Sequence, residues 1–576
     1  MPQAEIIRRP VGEVGALAGL AHPVLRRIYA ARGVRSPDEV EHGLAGLLPV
    51  SGLDEVEAAA SLLLDHLQRG SPVVVVGDYD ADGATSTAVI LRQLRRLGFD
   101  GVGFRVPDRM RHGYGLSRTL VEELAPARPN LIVTVDNGVS AHEGIAAARA
   151  RGIDVLVTDH HLPGASMPDY NLMINPNRHG SAFGSPALAG VGVAFYLMAA
   201  LSREWGQRTH AAPPPVTDLL DLVALGTVAD LVPLDRNNRI LVSEGLRRLR
   251  AGRTSPGLRA LTTVAGRKLE RLSERDLGFS LGPRLNAAGR IDDMTLGIRM
   301  LLTDDETEAK ALAARLDSLN RERREIEGQM REEAAGLMRK IRIEEGALPA
   351  GLCLFDADWH AGVVGLLASR VKERVHRPVA AFAPATDGEL RGSVRSVQGV
   401  HVRDVLEAID TRCPGLILRF GGHAMAAGLS LEPRRLGQFS EAFAAEVDRW
   451  LSPEQMRGVF HSDGVLTPQE LVLDTARMLE EGGPWGQGFP EPAFDGGFEV
   501  VEARVVGETH LKLRVQQLEG GQPVEGICFG HYADPAALRV ARGDRLHLGY
   551  RLGVSDFGGW DRAELRVELL QPPSLA

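Results

Sequence analysis

From about residue 73 the chain alternates short, wholly apolar runs with helical periodicity: Val73 to Val76 (VVVV), Val102 to Val106 (VGFRV), Leu131 to Val135 (LIVTV) and Asp154 to Thr158 (DVLVT). Strands without a polar face predict a parallel sheet covered on both sides by the helices between them. The segments ATSTAVILRQLRRLG and VEELAPAR supply such helices, the first closed by Gly98. In open α/β sheets ligands bind beyond the carboxyl ends of the strands. Polar residues follow the first, third and fourth runs immediately, so chemistry is expected there. Residues 1–70 read as a helical prefix, and AAPPPV (Ala211 to Val216) marks a loop before the helical stretch DLLDLVALGTVADLVPL.

Between Asp304 and Glu345 a charged, proline-free segment places Leu312, Leu316, Leu319, Ile326, Met330, Leu337 and Ile341 mostly at spacings of 3, 4 or 7. That pattern predicts a helix with a narrow apolar stripe, joining two domains. A second α/β unit follows, with strand-like GLCLF (Gly351 to Phe355), a helix over GVVGLLASRVKERV and a glycine-rich GGHAMAAG. The final runs FEVVEARVV, LKLRVQQL, VEGICF and LHLGYRL, separated by Gly and Asp turns, predict a small closed β-barrel. The expected division is a prefix over 1–70, a parallel-sheet domain over 71–303, a linking helix over 304–345, a smaller α/β domain over 346–450 and a barrel over 451–576.

Composition agrees with several globular domains. The length of 576 residues is about four times a soft single-domain prior of ~150. Apolar residues at 44% and charged residues at 24% exclude wholesale disorder. The net charge of -9 argues against a polybasic coat for DNA, though not against a locally basic groove. Only five lysines occur, so nearly every cation is an arginine. Three scattered cysteines support neither a disulfide framework nor a thiolate metal site. With no secretory h-region and no long apolar run, a cytoplasmic protein is expected.

The sharpest chemical signal is Gly77-Asp78-Tyr79-Asp80-Ala81-Asp82-Gly83, three carboxylates at alternating positions after a strand of valines. Such carboxylates repel one another unless cations neutralise them, which makes a metal site the physical reading. TVDNG ends a second strand in Asp136, and VTDHH ends a third in Asp159, His160 and His161. Imidazole beside carboxylates suits Mn²⁺ or Mg²⁺, with Mn²⁺ favoured by the histidine. Two such ions about 3.5–4 Å apart activate water and clamp a phosphoryl oxygen, so phosphoester or phosphoanhydride hydrolysis is the implied class. Asp230, in LGTVADLVPL, reads from spacing alone as an ordinary helix-end residue.

At this point GDYDADGATS, TVDNG, TDHH and GTVADLVPL resemble the four motifs of the DHH phosphoesterases, and FGGHAMAAGLS resembles the glycine-rich motif of the associated DHHA1 domain. GPRLNAAGR, the linking helix and an OB-type barrel add a resemblance to the family's bacterial single-strand-specific exonucleases. The resemblance implies that Asp80 and Asp136 hold one metal and that Asp82, Asp136, His160 and Asp230 hold the other. Asp78 and Asp159 would complete or support coordination, and His161 would meet the scissile phosphate. Relatives that hydrolyse pyrophosphate carry a histidine four residues before the position of Asp80, where this chain has Val76, which favours the nuclease branch.

The implied activity is 5′ to 3′ digestion of single-stranded DNA to 5′-mononucleotides, in repair and recombination. Implied partners are a single-strand-binding protein and a RecQ-type helicase. Alternatives are a phosphodiesterase for short oligonucleotides or cyclic dinucleotides, and a non-catalytic scaffold that binds single-stranded DNA. Candidate nucleic-acid contacts are Arg109 after the second strand; Arg284, Asn286 and Arg290 in what reads as a glycine-bounded loop; and Ser369, Arg370, Ser393, Arg395, Gly422 and His423 in the second domain. Hydroxyl, guanidinium and backbone N–H donors of this kind form anion-binding nests.

Overall fold

The computed structural model describes the chain except residues 1–4, 21, 109–110, 165, 341–347, 361, 386–387, 398, 423–424, 452–457, 534–536, 557–558 and 573–576. Strands β1 (Val73–Val76), β2 (Gly103–Arg105), β3 (Leu131–Val135), β4 (Asp154–Thr158) and β5 (Leu172–Ile174) form one parallel sheet in the order β2-β1-β3-β4-β5. The chain leaves β1 toward β2 on one side and returns to β3 on the other. This reversal opens a crevice where the loops after β1 and β3 diverge, the usual ligand position in such sheets.

Helix α1 (Ala81–Arg96) starts directly from the β1 loop and is buried along most of its length. It packs against α2 (Gly190–Thr209) and α3 (Leu220–Ala229), so three helix termini meet at the crevice. The helix Val56–Gln68 covers α2 from outside.

The prefix also holds the helix Pro23–Ala30, and departs from the helical expectation at its start. Glu5–Arg8 is a strand that pairs in parallel with Val459–Ser462. Arg8 makes a two-pronged ion pair with Asp495 at 3.1 and 2.9 Å, and Arg32 another with Asp463 at 2.8 and 3.0 Å. Tyr29 stacks on Trp485 and Phe489. The arginines of this segment find their partners at the start of the barrel and just before it, contacts that its own periodicity does not report.

GPRLNAAGR also corrects the reading. It forms helix α4 (Gly282–Ile291), preceded by a π-helical turn over Leu277–Leu281. Its glycines serve close packing: a Cβ on Gly289 would lie 1.7 Å from the Tyr79 carbonyl oxygen, and one on Gly282 would lie 3.2 Å from Ala229 Cβ. Helix α5 (Glu306–Lys340) is the expected linker. Its first half is fixed to the parallel-sheet domain through buried Leu316 and Leu319 and the ion pairs Arg92–Asp304 and Arg315–Asp292, at 3.0 and 2.9 Å.

Strands β6 (Leu352–Phe355), β7 (Val379–Pro384), β8 (Leu390–Arg395), β9 (Arg419–Gly422) and β10 (Ala426–Leu431) form a mixed sheet ordered β9-β10-β8-β7-β6, with α6 (Val364–Val375) packed on β7 and β8. Strands β11 (Phe494–Val506), β12 (His510–Gln517), β13 (Gly520–Cys528), β14 (Arg545–Ser555) and β15 (Arg562–Gln571) close the barrel in the order β11-β12-β13-β15-β14. Its core holds Phe494, Phe498 and Tyr550, while Phe529 and Trp560 face outward. Among the described residues no helix is long and apolar enough to cross a membrane.

Candidate metal centre

Each strand-end motif delivers its carboxylates to the crevice by a local device. Asp80 caps α1, its Oδ1 accepting the Gly83 N–H at 2.9 Å. Asp82, inside the first turn, accepts the N–H groups of Gly190 and Val191 at 2.7 and 2.9 Å. The start of α2 therefore stabilises that carboxylate. Asp136 adopts a left-handed backbone with φ of 60°, a conformation that costs a non-glycine residue about 1–3 kcal/mol and persists where the surroundings impose it. Asn137 supplies part of that constraint by donating to the carbonyls of Val76 and Val135 at 3.1 and 2.9 Å.

These residues converge. His160 Nε2 lies 3.1 Å from Asp136 Oδ1, 3.5 Å from Asp230 Oδ2 and 3.9 Å from Asp82 Oδ2. Three groups bring ligand atoms within 4.8 Å of one another: Asp78, Asp80 and Asp136; Asp82, His160 and Asp230; and Asp136, His160 and His161. Asp136 and His160 each belong to two of them. Asp78 Oδ1, Asp136 Oδ1 and Asp230 Oδ2 are buried without a hydrogen-bond partner among the described residues. Orphaned buried carboxylate oxygens next to an imidazole are the donor set for hard divalent cations, so the residues fit Mn²⁺ or Mg²⁺. Glycine keeps the space clear: a Cβ on Gly190 would lie 2.8 Å from Asp136 Oδ1, and one on Gly226 2.9 Å from Asp82 Oδ1.

The electrostatics agree. Burial, then the neighbouring Asp80 charge, pushes Asp78 up to about 8 and Asp82 up to about 7. Burial and the Asp82 charge hold Asp136 well above the ordinary carboxylate range, and Asp230 likewise. Asp159 goes the other way. Burial opposes its ionisation, but the hydrogen bond and charge of His161, with the Val139 N–H, outweigh it and hold the carboxyl low. His161 is in turn raised against burial by its 2.8 Å Nδ1 contact with Asp159 Oδ1. The pair thus presents an oriented imidazole beside the carboxylate cluster.

Sequence reasoning missed the residues that hold this pair. Asn175 and Asn177 donate to the carbonyls of His161 and His160 at 2.9 and 2.6 Å. The Tyr114 hydroxyl donates to the Asp136 carbonyl at 2.9 Å and lies 3.3 Å from His161 Nδ1. No local pattern marks them, because their partners are distant in sequence. Tyr114→Phe removes this tie without changing the ring, and should lower kcat about fivefold, the cost of a hydrogen bond of ~1 kcal/mol. Metal affinity, read by calorimetry, should stay unchanged, and an equal fall in metal affinity would assign the tyrosine to the ligands instead.

The candidate nucleic-acid residues divide. Arg284 is buried, with Nε on Asp317 at 2.9 Å and Nη1 on the Ser280 carbonyl at 2.6 Å. It locks α4 to α5. Asn286 accepts the Ala81 N–H at 2.7 Å and steadies the metal loop. Arg290 is exposed at the end of α4, and Arg370 is exposed beside Glu373 at 3.4 Å.

The second α/β unit gathers Ser393 and Arg395 on β8, against the side of α6 that carries Gly365. A Cβ on Gly365 would lie 2.9 Å from Arg395 Nη2 and 3.3 Å from Ser393 Oγ, and Ser369 follows one turn later. Gly422 sits at the end of β9, two strands away. Arg395 donates to Ser393 Oγ at 2.7 Å and pairs with no carboxylate among the described residues. Burial lowers its pKa. Arg109 and His423 lie outside the described residues.

Comparison with known proteins agrees with this arrangement. The chain matches the family models described as "DHH family, N-terminal domain" over residues 72–227, "DHHA1 domain" over 349–449 and "RecJ OB domain" over 462–569. It is 49% identical over 576 residues to the single-stranded-DNA-specific exonuclease RecJ of Escherichia coli K12, and 51% identical over 573 residues to that of Dickeya dadantii, covering 99% of each chain in both cases. Crystal structures of Thermus thermophilus RecJ superpose with TM-scores of 0.77 in complex with Mn²⁺ and 0.71 with Mg²⁺. Their identities are 30% and 29%, and they cover 99% of this chain and 80% and 79% of theirs. With three domain types in the same order and near-complete alignment at about half identity, the chain belongs to the RecJ family of DHH exonucleases.

Proposed function

We propose that this chain is a metal-dependent exonuclease that digests single-stranded DNA from the 5′ end and releases 5′-mononucleotides. The observation that carries the reading is the convergence of four strand- and helix-end motifs on one crevice, with carboxylate oxygens left unpartnered in its wall. Asp78, Asp80 and Asp136 would hold one divalent cation, and Asp82, Asp136, His160 and Asp230 the other. When bound, such ions neutralise the carboxylates, activate water and stabilise charge on the phosphoryl oxygens.

The chain's own residues do the rest. Asp159 orients His161 through its Nδ1 contact, so that the imidazole can serve the scissile phosphate as charge builds there. Release of a 5′-mononucleotide breaks the bond between phosphorus and the 3′ oxygen, so the shortened strand again begins with a 5′ phosphate. One anion pocket can therefore serve every cycle, and Ser369, Ser393 and Arg395 supply its donors, with Arg370 next to Ser369 at the surface and the Gly422 backbone and Arg290 as further contacts for the strand. The role implies a single-strand-binding protein and a RecQ-type helicase as partners, and a cytoplasmic, nucleoid-associated site of use.

The test is an internally labelled single strand with a 5′ phosphate and a blocked 3′ end, incubated with Mn²⁺ or EDTA beside a blunt duplex. The expected result is Mn²⁺-dependent mononucleotide release that tolerates the 3′ block and spares the duplex. Binding without cleavage would select a scaffold, and digestion confined to very short oligomers would select a short-oligonucleotide phosphodiesterase.

A further inference from the structure

Two stretches run from the metal crevice toward the barrel, and each carries a large apolar side chain into solvent. The first leaves α3 through Asp230. Leu231 follows at once, 69% exposed and held in the left-handed region at φ of 61°. Pro233 and Leu234 then reach the strap before the barrel: Leu234 N–H donates to the Gln487 carbonyl at 2.7 Å, and a Cβ on Gly488 would touch Pro233 at 3.2 Å. The second stretch begins at the same strap, where Glu274 accepts the Trp485 N–H at 3.1 Å. It passes through the π-helical turn to Phe279, which is 71% exposed with the Arg275 guanidinium 6.0 Å from its ring centroid. This stretch closes on the end of α3, since a Cβ on Gly278 would lie 3.2 Å from Val228 Cγ1.

The two side chains lie on neighbouring stretches, and each stretch carries a further mark beside its exposed residue. A left-handed backbone disfavours leucine, and π-helical turns concentrate at functional sites. Leu231 directly follows the proposed metal ligand Asp230, and Phe279 follows Gly278, which packs on Val228 two residues before Asp230. The faces of nucleic-acid bases are apolar whatever their sequence, and aromatic stacking with nearby arginine is the common sequence-tolerant way to hold a single strand.

We infer that Leu231 and Phe279 form a base platform between the metal centre and the barrel, against which a base of the single strand packs while its backbone passes the metal ligands. This rests on the exonuclease reading above. Phe279 and Leu231 here are positioning residues: they touch substrate bases but take no part in bond breaking.

The test compares a normal 5′-phosphorylated strand with one carrying a run of abasic residues at its 5′ end, digested by wild type, Leu231→Ala, Phe279→Ala and Phe279→Trp in Mn²⁺. Phe279→Ala and Leu231→Ala should each raise KM on the normal strand about tenfold, within the range of lost base stacking, with kcat little changed and Phe279→Trp restoring KM. The abasic strand should show a raised KM with wild type already, and the alanine variants should add nothing to it. Equal losses on both strands would overturn the platform by placing these side chains in the fold or against phosphates. An unchanged KM on the normal strand would overturn it by assigning the patch to another use, a protein surface included. A wild type that releases no nucleotide from either strand would instead bring down the exonuclease reading itself. Both side chains are exposed, so the melting temperatures of the variants should match that of wild type.

Discussion

Asp136→Asn should abolish nucleotide release while raising the melting temperature of the metal-free protein. The substitution keeps the shape of the side chain and suits the backbone, because asparagine enters the left-handed region more readily than most residues. What it removes is one negative charge from a buried position that faces Asp82, Asp80, Asp230 and Asp78. Without cations those carboxylates repel one another in a poorly solvated crevice, so a neutral amide relieves the folded state. With cations present the same charge is the shared ligand of both proposed sites, and its loss should cost at least about a thousandfold in rate, beyond the loss of a single transition-state donor. Scanning calorimetry in EDTA and in Mn²⁺, beside the single-strand assay, separates the two effects. Wild type should gain on the order of 4 kcal/mol when Mn²⁺ exceeds its dissociation constant a thousandfold, and the variant far less. A variant that is inactive and also less stable in EDTA would show a structural carboxylate and not a ligand under strain from its neighbours.

Part of this site was open to a reader of the sequence, and the boundary follows from where the information lies. The groups Asp78-Asp80-Asp82, Asp136 and Asp159-His160-His161 each follow a recognisable strand, so chemistry and position are written in the same few residues. The parallel sheet then brings them to one edge. Asp230 ends a helix and has no such signature; only resemblance to a family raised it above an ordinary helix-end residue, and its 3.5 Å approach to His160 is a tertiary fact. The glycines of GPRLNAAGR suggested a turn because local pattern cannot distinguish a glycine that bends the chain from one that lets another backbone approach. Gly289 is of the second kind, packed on the Tyr79 carbonyl.

Arg284 shows a related ambiguity. An arginine offers the same donors to a phosphate or to Asp317, and burial decides between them. The prefix illustrates the reverse problem. Its order comes from acidic partners more than 400 residues away, such as Asp463 and Asp495, so no window along the chain contains both halves of the signal.

The metal-free protein should also lose stability as pH rises from about 4 to about 8, and divalent cations should cancel that loss. Asp78 and Asp82 move from an ordinary value of 3.8 to about 8 and about 7, and Asp136 and Asp230 move the same way. A carboxyl group with a raised folded-state pKa binds more protons folded than unfolded between those values, so stability falls with pH across that window. For Asp78 and Asp82 the destabilisation sets in near 3.8 and is complete above about 8, and Asp136 and Asp230 extend it in the same direction. His161, also raised, adds to the same trend, because its contribution is present below 6.5 and lost as pH climbs through its folded value. Asp159, held low, contributes stability that is lost only on acidification.

Each pKa unit of displacement is worth about 1.4 kcal/mol, so raised carboxyls of this kind move a melting temperature by several degrees. Cations take the place of the protons and bind the ionised carboxylates, so their affinity rises over the same range. Melting temperatures measured in EDTA and in Mn²⁺ at a series of pH values should therefore diverge upward through the window. In Asp136→Asn the divergence should shrink. Parallel curves in EDTA and Mn²⁺ would mean that the raised carboxylates are not the groups that hold the cations.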